Sequence, residues 1–219
     1  MTAVRVLIMD FDGVIVESNQ PKTEAFERFA ALYPEYSDEI MAYHFAHYSR
    51  SRMFKFKHYV DELMGRPGDV ELFDKMARQF SALVADRVVE APEVAGARAF
   101  LEEFSTRLPV YLSSATPVNE LKEILRRRGL AQFFTDVFGD PPIAKSEAIR
   151  QVLAIERVAS SEVVFIGDTV SDYRYAAEAG LRFIGRDSGV GFNGADVESH
   201  GDLHAIAAVL RPQLEGAAL

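Results

Sequence analysis

Val6-Leu7-Ile8-Met9-Asp10-Phe11-Asp12-Gly13 passes from four apolar side chains straight into two acids and a glycine. An apolar run of this length, with branched residues, reads as a strand covered on both faces, the pattern of a parallel sheet. The arrangement recurs at Val110 to Leu112, followed by Ser113-Ser114, and at Val163 to Ile166, followed by Gly167-Asp168. Helical segments lie between them, one from about Pro117 to Arg128 closed by Gly129 and one from about Lys145 to Arg157. Strands alternating with helices predict βαβ units with right-handed crossovers. Ligands of such sheets bind beyond the carboxyl ends of the strands, so the three polar clusters are expected to converge on one edge. Val137-Phe138 and Arg182 to Gly185 are further strand candidates, and a closing helix runs from about Asp202 to Leu210.

Between the first two strands lie some 100 residues, far more than one crossover helix requires. Four amphipathic pieces fill the stretch: about Pro21 to Leu32, Asp38 to Tyr48, Arg52 to Met64, and Val70 to Val88. The last places Leu72, Phe73, Met76, Phe80, Leu83 and Val84 on one stripe. Residues 17–90 therefore read as a helical domain inserted into a sheet domain made of 1–16 and 91–219, which Pro92 restarts with a helix through Phe100, Leu101 and Phe104.

The chain has 219 residues, 24 Lys and Arg against 33 Asp and Glu, a net charge of −9, 48% hydrophobic residues and no cysteine. A chain of this size buries roughly 70% of its unfolded surface and needs no covalent staple. The lack of cysteine excludes disulfides, thiolate zinc sites and cysteine nucleophiles. The negative balance disfavours nucleic acid as a partner. Apolar runs fall short of the roughly 18 residues a membrane span needs, and residues 1–10 lack the features of a signal peptide. The expectation is a cytoplasmic protein with neither membrane nor nucleic-acid partner.

Asp10 and Asp12, two apart, point to the same side of a strand, with Gly13 permitting a sharp turn behind them. Carboxylates held that close repel unless a cation joins them or one keeps a proton. Asp168 adds a third acid at the same edge. Converging Asp oxygens without His or Cys suit a hard cation, and Mg²⁺ is the one that works with phosphate. Lys145, opening a helix, supplies positive charge for an anionic substrate. Asp172 has a second reading, since Thr169-Val170-Ser171-Asp172 fits a capping box with Asp in place of Glu.

These residues carry a family resemblance. Met9 to Ser18 resembles the first motif of the haloacid dehalogenase-like (HAD) superfamily, Val110 to Ala115 the second, Lys145 the third and Val164 to Asp172 the fourth. The inserted helical block stands where phosphoglycolate phosphatase-like and β-phosphoglucomutase-like members carry their helical first-type cap. The resemblance implies an α/β fold, a Rossmann-like three-layer parallel sheet core with an inserted α-helical cap domain.

The resemblance also implies a Mg²⁺-dependent phosphatase acting on a small phosphorylated metabolite. Asp10 is then the nucleophile, forming an aspartyl-phosphate, and Asp12 the general acid and base. Asp10, the Asp12 carbonyl, Asp168 and Asp172, directly or through water, hold the metal. Ser114, with the amides of Phe11 and Ala115, and Lys145 bind the phosphoryl group. Ser113 and Ser114 are adjacent and only one can face the site; Ser114 is preferred because the family's hydroxyl follows one small residue after the apolar strand. A phosphomutase of the β-phosphoglucomutase type is the alternative, and a non-catalytic module binding Mg²⁺ or a phosphometabolite the alternative outside enzymes. Within the cap, His44, His47, Arg50, Arg52, Lys55, Lys57 and His58 form a basic cluster interleaved with aromatics. Arg52 and Lys55, three apart on one helix face, are candidates to grip a second anionic group. Glu17, at the cap hinge, is a further candidate for substrate selection.

Overall fold

The computed structural model describes residues 3–214. Two compact units divide the chain, one formed by Met1–Glu17 with Pro92–Leu219 and the other by Ser18–Ala91.

In the discontinuous unit, six strands among the described residues form one parallel sheet with helices on both faces. They are β1 (Val6–Met9), β2 (Val110–Ser114), β3 (Asp136–Gly139), β4 (Val163–Gly167), β5 (Arg182–Arg186) and β6 (Ser199–His200), in the spatial order β3-β2-β1-β4-β5-β6. Every side chain of β1, β2 and β4 is buried, which is why their sequences are apolar without alternation. Val6, Ile8, Tyr111, Val163 and Phe165 share a cluster on one face with Ala148, Ile149 and Val152. The strand order reverses at β1: the chain builds outward through β2 and β3 on one side, then through β4, β5 and β6 on the other. That reversal is the switch point at which such sheets open a crevice for ligands.

The contiguous unit is helical: α1 (Asn19–Ala30), α2 (Ser37–Ala46), α3 (Arg52–His58) and α4 (Val70–Glu90). The Ser51 and Asp69 side chains cap α3 and α4 by accepting from Phe54 N and Leu72 N. Met76, Phe80, Val84 and Val88, four apart along α4, are its buried residues. The core is aromatic, with Phe26 and Phe80 ring centroids 4.4 Å apart and Phe29 and Phe56 5.0 Å apart.

The remaining helices belong to the sheet unit: α5 (Ala97–Phe104), α6 (Val118–Arg128), α7 (Lys145–Glu156), α8 (Val170–Glu178) and α9 (Leu203–Leu214). Three local details go beyond the sequence reading. The stretch 52–64 is not one α-helix, since α3 passes at Tyr59 into a π-helical turn, Tyr59–Leu63. The helix after Pro92 begins only at Ala97, behind Gly96 in the left-handed region. The polar pair Ser199–His200 forms an edge strand with no apolar signal. No helix among the described residues is long and apolar enough to cross a membrane.

Candidate active site

Asp10 directly follows β1, and its backbone N donates to Ile166 O of neighbouring β4 at 2.9 Å. The parallel register pairs Met9 with Ile166 and with Leu112. Asp10 thus lies beside the end of β4, which leads into Asp168, and beside the end of β2, which carries Ser114. Three sequence-distant segments meet because their strands are neighbours in one sheet.

Asp10, Asp168 and Asp172 are buried, and one carboxylate oxygen from each lies within 4.8 Å of the others. Lys145, the first residue of α7, places Nζ 2.6 Å from Asp10 Oδ2 and 2.5 Å from Asp172 Oδ1. Burial has the largest influence on Asp10 and holds its carboxyl well above the usual carboxylate range; Lys145 pulls it down, while Asp172, Asp168 and Asp12 push it further up. Burial works against the Lys145 ammonium too, but the charges of Asp10 and Asp172 outweigh it and hold the amine above the ordinary lysine value. The donor set, three carboxylates and no nitrogen or sulfur ligand, fits a hard cation such as Mg²⁺.

Asp172 belongs to the carboxylate cluster and also caps a helix. Its Oδ2 accepts from Thr169 N at 3.2 Å and from Thr169 Oγ1 at 2.7 Å, the capping box at the start of α8. Gly167 makes this approach possible, because a Cβ there would lie 2.4 Å from Asp172 Cβ.

Asp12 points elsewhere. Its Oδ2 accepts from Ser114 Oγ and Thr116 Oγ1, each at 3.4 Å, and Thr116 N in turn donates to Ser114 Oγ at 3.1 Å. Strand alternation separates the two serines: the Ser113 hydroxyl is buried without a hydrogen-bond partner. Phe11 N already donates to Asp10 Oδ1 at 2.7 Å. Ala115 is half-buried between Ser114 and Thr116. Thr116 was not legible as a site residue, since the hydroxyl two places beyond the strand reads as the start of a helix beside Pro117.

Glu17 and Arg186 form an ion pair that no local pattern reveals. Arg186 Nη1 donates to Glu17 Oε2 at 3.0 Å and to Gly13 O at 3.1 Å, and Nη2 donates to Glu17 Oε1.

Within the helical unit, His44, Arg52 and Lys55 are buried, while Lys57 is exposed and paired with Asp61. Lys55 Nζ lies 3.1 Å from His44 Nδ1, donates to Tyr48 O at 3.2 Å and sits 4.8 Å from the Phe26 ring centre. Burial, aided by Lys22, lowers the Lys55 amine to about 7 from an ordinary 10.5; burial and Lys55 lower His44 to about 3. Between the folded and unfolded values of Lys55 the unfolded chain binds the extra proton, so stability rises with pH across that window. The melting temperature is therefore expected to climb from pH 7 to 9, and Lys55→Met to flatten the climb; an identical slope in the variant would contradict this account.

A family model described as a haloacid dehalogenase-like hydrolase matches residues 4–180. No curated protein matches the chain. Solved structures share its fold at low identity. One is described as a predicted phosphoglycolate phosphatase from Haemophilus somnus, with 16% identity, a TM-score of 0.74 and coverage of 96% of this chain and 100% of that one. YfnB of Bacillus subtilis, bound to magnesium, has 16% identity, a TM-score of 0.68 and coverage of 96% and 100%. A CbbY variant from Rhodobacter sphaeroides, in complex with xylulose 1,5-bisphosphate, has 16% identity, a TM-score of 0.70 and coverage of 91% and 94%.

Proposed function

The chain belongs to the haloacid dehalogenase-like hydrolase family, and from that premise we propose that it is a Mg²⁺-dependent phosphatase hydrolysing a small phosphorylated metabolite through an aspartyl-phosphate on Asp10. The observation that carries the reading is the buried charge arrangement at the sheet's switch point. One ammonium, Lys145, bridges Asp10 and Asp172 with Asp168 beside them, while Asp12 stands apart on two hydroxyls.

Asp10 attacks phosphorus, forming an O–P bond as the ester O–P bond breaks. Asp12 gives its proton to the departing oxygen, then takes one from the water that attacks phosphorus and releases Asp10. The products are the alcohol and inorganic phosphate. Ser114 Oγ and the amides of Ala115 and Phe11 would bind phosphoryl oxygens, the Phe11 amide exchanging its bond to Asp10 Oδ1 for one to the substrate. Lys145 offsets charge between nucleophile and phosphoryl group.

Asp10, the Asp12 carbonyl and Asp168 would hold Mg²⁺. Asp172, with Oδ2 on Thr169 and Oδ1 on Lys145, would hold it directly or through water. When bound, the ion supplies the positive charge that draws electrons from the phosphoryl oxygens. For a second anionic group of the substrate the candidates remain Arg52 and Lys55, although Lys55 is buried on His44 and the Tyr48 carbonyl.

An aryl phosphate and a broad panel of phosphate esters, assayed with Mg²⁺ and with EDTA, test the reading. Hydrolysis that needs Mg²⁺ and releases one phosphate per ester consumed is expected. Equal rates with EDTA, or no turnover across the panel, would overturn it, and isomerised sugar phosphate without phosphate release would assign a mutase instead.

A further inference from the structure

The loop that follows Asp12 is tied to the sheet by a side chain from two strands away. Gly13, at φ +69°, turns the chain back, so that Gly13 N donates to Val16 O at 2.8 Å and Ile15 N to Phe11 O at 2.9 Å. Arg186, the last residue of β5, is 7% exposed and grips both ends of this loop, the carbonyl of Gly13 and both carboxylate oxygens of Glu17. Taking a guanidinium out of water is costly unless its donors are matched. Here the two Nη groups meet a carboxylate in two parallel bonds and Nη1 also donates to the carbonyl next to Asp12, while Nε is buried without a partner. Two further backbone bonds, Glu17 N to Pro92 O and Val94 N to Ile15 O, both 2.9 Å, hold the loop's far side. Arg186 is the side chain that couples the two ends.

We propose that Arg186, through Glu17 and the Gly13 carbonyl, is a positioning residue that sets the direction of the Asp12 carboxyl toward the leaving-group oxygen. This rests on the reading of Asp12 as proton donor. It also gives Glu17 a role distinct from contact with substrate: Glu17 orients the clamp. A shift of about 1 Å in a catalytic group can cost about 10²-fold in rate, so the clamp does not need to touch substrate to matter.

The test exploits the leaving group. The alkoxide of an alkyl phosphate needs a proton to depart, whereas p-nitrophenyl phosphate releases p-nitrophenolate, a stable anion, and kcat/KM reports the steps up to that departure. Asp12→Asn serves as reference and is expected to lower kcat/KM on the alkyl ester by about 10² to 10⁴-fold, with a much smaller loss on the aryl ester. Arg186→Lys keeps the charge without the fork, and Glu17→Gln keeps the fork without its carboxylate. Each is expected to show the same split at lower amplitude, about 10-fold or more on the alkyl ester and little change on the aryl ester.

A merely structural role would lower both substrates alike. Parallel losses, or no loss, in both clamp variants while Asp12→Asn shows the split would overturn the clamp alone. If Asp12→Asn lowers both substrates equally, the proton-donor reading fails and the positioning role fails with it. Should Arg186→Lys melt below the assay temperature, Glu17→Gln, altered only at a partly exposed carboxylate, decides the question.

Discussion

Asp10→Asn lowers phosphate-ester turnover by about 10⁴-fold or more, the scale on which loss of a nucleophile registers, and leaves the protein as stable as before or more so. The side chain keeps its shape, and its carbonyl oxygen can still accept from Phe11 N, which lies 2.7 Å from Asp10 Oδ1. What disappears is the anionic oxygen that would attack phosphorus. Stability moves the other way because burial, the largest influence, together with Asp172, Asp168 and Asp12, outweighs the pull of Lys145 and favours an uncharged group at this position, while Lys145 keeps its ion pair with Asp172. A neutral amide satisfies that preference permanently, a trade of stability against activity common at catalytic sites. Steady-state assay and thermal melting with EDTA check the two halves together. Retained turnover would remove Asp10 from the role of nucleophile; a large drop in melting temperature would show that its charge supports the fold.

Lys145→Met has a large effect of opposite sign on stability. The ammonium lies 2.6 Å from Asp10 and 2.5 Å from Asp172, with Asp168 in the same cluster. Removing one partner of a buried pair costs about 3–5 kcal/mol because the remaining charge has no compensation. At roughly 2–4 °C per kcal/mol for a chain of this size, the melting temperature with EDTA is expected to fall by about 6–20 °C. Saturating Mg²⁺ should recover part of that loss, since a cation that binds only the folded state stabilises it, by about 2.7 kcal/mol at a hundredfold excess over Kd. Activity should fall by about 10² to 10³-fold even with Mg²⁺, as expected when one preorganised charge at the reacting group is removed. An unchanged melting temperature with EDTA would mean that Lys145 does not neutralise the cluster.

The sheet was legible in its central strands for a definite reason. β1, β2 and β4 are covered on both faces, and such strands need uninterrupted apolar residues, which Val6–Met9, Val110–Leu112 and Val163–Ile166 supply. The edge pair Ser199–His200 has no such demand and leaves no trace in composition. The π-helical turn at Tyr59–Leu63 was missed because its apolar residues continue the period of α3, so the pattern reads as one longer helix. The placing of Asp10, Asp168 and Ser114 at one edge followed from strand ends alone. Thr116 and Arg186 did not: the first sits past a strand end where a hydroxyl reads as helix initiation, and the second meets Glu17 across 169 residues of chain. Glu17 itself was read for its position before the helical block, and its partner became visible only once β5 was laid two strands from β1.

The division of the chain into an interrupted unit and a contiguous one also orders events during synthesis. Residues Ser18–Ala91 leave the ribosome as one piece, whereas β1 must wait for Val110–Ser114 and then Val163–Gly167 before either edge is paired. At about 5–20 residues per second that wait lasts on the order of ten seconds. For that interval the fully apolar Val6–Met9 has no strand partner, whereas every residue of the helical unit is already present. β1, which leads into Asp10, is thus made well before either of its strand partners, so the edge that gathers Asp10, Asp168 and Asp172 is completed only after the region beyond β4 has emerged.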